Sequence, residues 1–313
     1  MYDWVALCSP DPSAQLGRIP VKFGVTSTMK TLIRFNNPFS HPRNPLPLPS
    51  MVDVADVLHN ADVQWNRFSP EDYWQRNYYK LQAEDREIIR LVSQFFITAF
   101  ADRADRADAR CGIDVGSGTN IYPALLMLPW TDQIRLTDFS AGNVEWLRHQ
   151  IADDSDGWTW WPFWHELEGK EGYAQIGEPR KQLRETCRSE AGYAGIERAS
   201  VFNLPTARWD LGTMFFVAES ITEDPDEFLA ALAGFTGALK PGAPFATALM
   251  AGSHGYPVGG AHFPALPITT KHVRQYFTEL GARDLSVKLL RTKPRVRDGY
   301  EGMIVATGVL REA

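Results

Sequence analysis

Ile113-Asp114-Val115-Gly116-Ser117-Gly118-Thr119-Asn120-Ile121-Tyr122 is the stretch that decides how this chain is read. An apolar run ends at Val115, two glycines follow one residue apart, and a helical pattern opens at Tyr122. Glycine adopts positive φ without penalty and lets the backbone approach a ligand closely. Beyond the loop, residues 134–137 read as a strand, and Val144, Leu147 and Ile151 share one helix face. Residues 211–218 read as a buried strand. Asp224, Pro225 and Glu227 mark a helix start with an N-cap acid, a first-turn proline and a capping-box glutamate. Phe228, Leu232, Phe235 and Leu239 continue that helix, and Lys240-Pro241-Gly242 ends it. Residues 245–249 read as the next strand, 272–280 as a helix, and 285–290 with 302–309 as closing strands. Strands alternating with helices imply an α/β fold with a mostly parallel sheet covered on both faces.

Upstream, Ile88, Leu91, Val92, Phe95, Phe96 and Ala99 repeat at helical spacing within residues 85–100. The polar ADRADRADAR stretch at 101–110 reads as a solvated helix end or linker. Residues 1–50 carry no sustained period, and five prolines fall between Pro38 and Pro49. They read as a disordered or loosely docked tail, with residues 51–313 as the domain and 152–200 as an insertion. Met51 is read as an alternative start, which an N-terminal peptide mapping to Met1 would contradict.

Composition narrows the function. The chain has 313 residues, is 44% apolar and 22% charged, and carries a formal charge of −6. An acidic balance without basic clusters disfavours nucleic acid as a partner. No apolar run reaches membrane-spanning length, and no apolar core of signal-peptide length opens the chain. Cys8, Cys111 and Cys187 are odd in number and far apart, which suits a reducing cytoplasm and forms no zinc-type pair. His165-Glu166 lacks a second histidine, so no metal is expected. Arginines outnumber lysines 23 to 9, which points to a GC-rich bacterial genome.

Two ligands fit the glycine loop: a dinucleotide, or S-adenosylmethionine. The alternative is a plain tight turn with no ligand. The dinucleotide fingerprint places a third glycine where Ile121 stands. Asp114 beside the loop would repel a pyrophosphate and attract an ammonium. Asp138, twenty-four residues after Asp114, ends the next strand, where a carboxylate can accept from a ribose diol. These residues favour S-adenosylmethionine.

Further motifs recur in order with the loop: WNRFSPEDY (65–73), YWQRNYY (73–79), LTDFSAGN (136–143), FFVAES (215–220), LKPG (239–242) and YPVGGAHFPALP (256–267). With IDVGSGTNIY (113–122), the set resembles the nicotinamide, phenylethanolamine, indolethylamine and thioether methyltransferases over residues 65–309. The resemblance implies a Rossmann-like class I methyltransferase, with a seven-stranded sheet and an N-terminal helical lid within residues 51–110. It implies S-adenosylmethionine as cofactor and methyl transfer to a small amine, pyridine, indole or thioether, and the expectation here is a small-molecule acceptor methylated at an aromatic or amine nitrogen.

By position, the resemblance gives cofactor roles to Tyr73, Tyr78, Gly116, Ser117, Gly118, Tyr122, Asp138 and Asn143. Ser200 and Val201 fall at the adenine edge, where the family carries an Asp-Val pair; Asn120 replaces a usual threonine. Glu219 matches the acid that meets the acceptor and is the catalytic candidate. A second family acid falls near residues 247–250, uncharged here, which leaves Met250 in the pocket and suits a less cationic acceptor. Trp65, Tyr73, Tyr256, Phe263 and His262 would wall the acceptor site, with His254 and His262 as possible bases. Trp158, Trp160, Trp161 and Trp164 read as a cover on the core before an extended substrate site. Alternatives are methylation of an indole carbon in secondary metabolism, self-cyclisation of S-adenosylmethionine, and a non-catalytic binding protein. Oligomeric state is not legible.

Overall fold

The computed structural model describes residues 57–101, 109–152, 157–188, 195–291 and 299–312. The tail at 1–50, the start at Met51 and most of the 101–110 stretch lie outside the described residues.

The sheet has seven strands in the order β3-β2-β1-β4-β5-β9-β8. They are β1 (Cys111–Val115), β2 (Gln133–Asp138), β3 (Ile196–Arg198), β4 (Leu211–Phe215), β5 (Pro244–Ala251), β8 (Ala282–Leu290) and β9 (Gly302–Leu310). The strands from β3 to β5 run parallel, and β9 inserts antiparallel between β5 and β8. A separate hairpin pairs β6 (Tyr256–Val258) with β7 (Ala261–Phe263). The expected α/β class with a Rossmann-like seven-stranded sheet holds.

Alternation along β5 shows why helices cover both faces. Phe245 points to one face, where its ring meets Phe235 of α7 (Pro225–Ala238) and Phe277 of α8 (Thr270–Glu279). Ala246, Ala248 and Met250 point to the other, in the cluster built from α2 (Ala83–Phe100), α3 (Tyr122–Met127) and α4 (Ala141–Ala152). Short α5 (Trp161–Trp164) and α6 (Pro179–Thr186) complete this side. Helix α1 (Pro70–Asn77), in the segment expected to form the lid, is capped by Ser69, whose hydroxyl accepts from Asp72 N.

Three expectations change, and one segment without a sequence assignment takes a definite form. The 152–200 segment is not wholly an insertion, because β3 within it is the edge of the main sheet and α6 packs on β2 and α4. The 211–218 strand stops at Phe215, where Phe216 turns into the left-handed region at φ 60° and residues Ala218–Ser220 form a 3-10 turn. Asp224 caps α7 as expected, but Glu227 does not close a capping box. Its carboxylate accepts from Asn60 N (2.8 Å) and Thr222 Oγ1 (2.6 Å), which fastens the chain before the lid to the loop before α7. The YPVGG segment forms a hairpin, with Gly259 at φ 56° and Gly260 at φ 77° in its turn.

The tryptophans act as a cover. Trp158, Trp160 and Trp164 are buried, and Trp161 is partly exposed. Trp160 contacts the rings of Tyr78 and Phe163 at 6.0 and 4.9 Å. Trp160→Ala should destabilise the fold by about 3–5 kcal/mol in urea unfolding. A cost under about 1 kcal/mol would mean that the cover is dispensable.

Candidate active site

Parallel strands deliver their carboxyl ends to one edge of the sheet, and the cleft opens there, where strand order reverses between β1 and β4. Residues after β1, β2, β3 and β4 line it together with the lid, in a cleft of about 790 Å³ including its mouth.

The glycine loop follows β1. Gly116 has φ 66°, and a Cβ there would come within 2.5 Å of Val217, so only glycine fits. Asp138 ends β2, and its carboxylate is the anchor of the loop. One oxygen accepts from Gly118 N (2.9 Å), the other from Ser140 N (2.8 Å) and Asn143 Nδ2 (3.1 Å). Burial raises its pKa, and these three donors pull it back toward the ionised form.

Polar atoms beside the loop carry an unmet demand. Thr119 Oγ1, Asn120 Nδ2 and Asn143 Oδ1 are buried without a hydrogen-bond partner among the described residues, and all three residues line the cleft. Burying such groups unsatisfied is costly. Donors from Thr119 and Asn120 match a carboxylate, and Asn143 with Asp138 supplies acceptors for an ammonium or hydroxyl. The set fits the methionine and ribose ends of S-adenosylmethionine. Phe139 and Phe202, both exposed aromatics, stand at the rim beside Ser200 and Val201.

A family profile of the NNMT/PNMT/TEMT family matches residues 56–307. The chain belongs to that family. It is similar to rabbit (Oryctolagus cuniculus) indolethylamine N-methyltransferase, 27% identical over 231 residues, covering 71% of this chain and 84% of the relative. It is also similar to human (Homo sapiens) nicotinamide N-methyltransferase, 24% identical over 228 residues, covering 71% and 84%. Among solved structures, a SAM-dependent methyltransferase from Methanosarcina mazei aligns with a TM-score of 0.44 and 14% identity, over 68% of this chain and 98% of that one. The protein is an S-adenosylmethionine-dependent methyltransferase. No helix among the described residues is long and apolar enough to cross a membrane.

Most residues read from the sequence of this NNMT/PNMT/TEMT member meet at the cleft. Tyr73, Tyr78, Gly116, Ser117, Gly118, Asp138, Asn143, Ser200, Val201, Trp65 and Tyr256 all line it. Ser200 also caps the short turn that follows it, accepting from Phe202 N at 3.3 Å.

Six lie elsewhere. Asp114 is buried beneath the loop; its Oδ1 accepts from Thr213 Oγ1 (2.6 Å) on the neighbouring strand, and burial pushes its pKa up to about 7. It braces β1 to β4 and is not a counter-charge in the wall. Tyr122 is fully buried, stacked on Phe163 and edge-on to Tyr78, so it backs a lining tyrosine. Phe263 is buried behind the wall, stacked on Trp65 and Tyr256. His262 points outward because it alternates with Ala261 and Phe263 along β7, and His254 is exposed too. Glu219 is fully buried and outside the cleft lining; its Oε1 accepts from Met250 N (2.8 Å) and Ser220 Oγ (3.2 Å).

Met250 belongs to a second, smaller cavity of about 400 Å³. Tyr73, Phe216 and Tyr256 line both cavities, so the two meet at these rings. Thr119, Asn120, Phe139, Phe202 and Phe216 were missed in the sequence. Thr119 and Asn120 lie within the quoted loop and were within reach; nothing in the residue type announces Phe216. No group of metal-ligating side chains occurs among the described residues.

The raised pKa of Asp114 has a signed consequence. The native state holds its proton up to about pH 7 and the unfolded chain releases it near pH 4, so this group's contribution to stability falls as pH rises between them. Asp114→Asn removes the titration. Its urea midpoint relative to wild type should therefore shift in the variant's favour from pH 4 to pH 8. A difference independent of pH would contradict the assignment. Gly116→Ala should weaken S-adenosylmethionine binding by about tenfold or more in calorimetry, given the clash with Val217. Unchanged affinity would show that the loop does not form the cofactor seat.

Proposed function

We propose that the protein methylates a nitrogen of a small aromatic or amine acceptor. The observation that carries this is the junction of two cavities at the rings of Tyr73, Phe216 and Tyr256, one of them with the polar set suited to S-adenosylmethionine. S-adenosylmethionine supplies an electrophilic methyl on a sulfonium leaving group. The acceptor nitrogen donates its lone pair to form the N–C bond as the C–S pair withdraws onto sulfur. Any displaced N–H proton passes to water.

Little acid–base help is needed, so the residues of this chain act mainly by alignment, for which about 7–11 kcal/mol is available in favourable cases. Aromatic faces at the junction also attract positive charge, worth about 0.5–2 kcal/mol. Tyr73 and Tyr256 hold their rings 6.2 Å apart, and Tyr256 is fixed by donating its hydroxyl to Ser220 O (3.1 Å). Cofactor contacts are assigned to Gly116, Ser117, Gly118, Asp138, Asn143, Tyr73, Tyr78, Ser200 and Val201. Glu219 is assigned as a positioning residue: through Met250 N and Ser220 Oγ it sets two walls of the second cavity. The lid seats by Arg76 Nη1 donating to Pro257 O (2.7 Å) and by Ser69 abutting Gly259. It opens to exchange ligands and closes to exclude water.

Incubation with S-adenosylmethionine carrying a labelled methyl and a panel of amines, pyridines and indoles should yield an N-methyl product by mass spectrometry and NMR. A C-methyl product would instead place the attack at a ring carbon. Methylthioadenosine would reveal self-cyclisation, and binding without product a non-catalytic role. Glu219→Gln should lower turnover or raise the acceptor KM by about tenfold while cofactor affinity stays within about threefold. Equal loss of both would defeat the positioning role.

A further inference from the structure

The second cavity has an aromatic end and a charged end. Phe216, Tyr256 and Met250 form the first; Asp72, Arg76 and Asn77 of the lid form the second. Asp72 and Arg76 stand one helical turn apart, the spacing at which an acid and a base on a helix ordinarily pair. Here they do not. Arg76 Nη1 donates to Pro257 O at 2.7 Å, and the Asp72 carboxylate has neither hydrogen bond nor ion pair among the described residues. The hairpin thus holds the guanidinium away from the carboxylate, leaving one positive and one negative group side by side on the cavity wall. With Nη1 engaged, Nε and Nη2 of Arg76 still offer a fork for a carboxylate.

Resting on the methyltransfer reading above, we infer that this cavity seats the α-amino-acid end of an aromatic amino acid. Asp72 takes its ammonium, Arg76 takes its carboxylate, and its ring lies toward Tyr73, Phe216 and Tyr256, where a ring nitrogen is methylated. A zwitterion matches both wall charges. A simple amine would satisfy Asp72 but leave its ammonium beside the Arg76 guanidinium, and like charges repel. The pairing also fixes which atom reacts. An α-ammonium held protonated by Asp72 has no lone pair, so attack falls to the ring nitrogen. That nitrogen's lone pair forms the new N–C bond, the C–S pair goes to sulfur, and the ring N–H proton leaves to solvent.

The test compares L-histidine and L-tryptophan with their decarboxylated counterparts histamine and tryptamine, using labelled S-adenosylmethionine and locating the methyl by NMR. At least one amino acid should be methylated on its ring nitrogen, with kcat/KM at least about tenfold above its amine, the worth of one charge-assisted carboxylate contact. Arg76→Gln should raise the amino-acid KM about tenfold more than it raises the amine's, and so close that gap. Asp72→Asn should raise the KM of both. Preference for the amines, methylation of the α-nitrogen, or variants that leave the gap intact would overturn the inference while leaving methyl transfer standing. Methylation of nicotinamide or another uncharged acceptor, with none of these four modified, would do the same. If no acceptor of any kind is methylated by protein that binds the cofactor, both readings fall.

Discussion

The Asp138 carboxylate closes the glycine loop. By accepting from Gly118 N, Ser140 N and Asn143 Nδ2, it ties the turn after β1 to the end of β2 and to the first turn of α4. A buried carboxylate is tolerable only when such donors surround it. Beside the loop so held, Thr119, Asn120 and Asn143 keep buried polar atoms without a partner among the described residues. The same constraint therefore builds the loop and leaves these polar groups lining the cleft. Asp114, one strand residue from the loop, contributes differently: its bond to Thr213 fixes β1 against β4 beneath the cleft floor.

The second organising feature is aromatic. Rings of Trp65, Phe263, Tyr256, Tyr73, Tyr78 and Trp160 succeed one another at 5.5–6.2 Å from the lid, through the hairpin, to the tryptophan cover. Such contacts join lid, hairpin and cover through their rings, beside the hydrogen bond from Arg76 to Pro257 O. In the proposed reaction, polar atoms hold the cofactor end of the cleft and rings hold the end where the acceptor arrives. A direct displacement asks for that division, since it depends on alignment and exclusion of water more than on proton transfer.

The parts legible in the sequence are those whose chemistry is local. Gly116, Gly118 and Asp138 sit at strand ends and announce a loop, and Pro225 after Asp224 announces a helix start. The parts that were missed depend on distant partners. Glu219 reads as the acid that meets the acceptor, but it is wholly buried and its carboxylate accepts from Met250 N, thirty-one residues away. Tyr122 reads as a cofactor contact until Phe163 from the 152–200 segment stacks on it. Strand β3 is three residues long with two of them exposed, too short for periodicity to register. His262 was misplaced although its signal was local: the Gly259-Gly260 turn implies a hairpin, and alternation from Phe263 puts His262 outside.

The most direct measurement of the central claim is a crystal structure of the protein with S-adenosylhomocysteine. The account predicts the ligand in the cleft at the β1–β4 edge, its ribose at Asp138, its amino-acid end meeting Thr119, Asn120 or Asn143, and its sulfur facing Tyr73, Phe216 and Tyr256. Density for the ligand elsewhere, or a ligand in the cleft that leaves those three polar side chains unpaired, would contradict it.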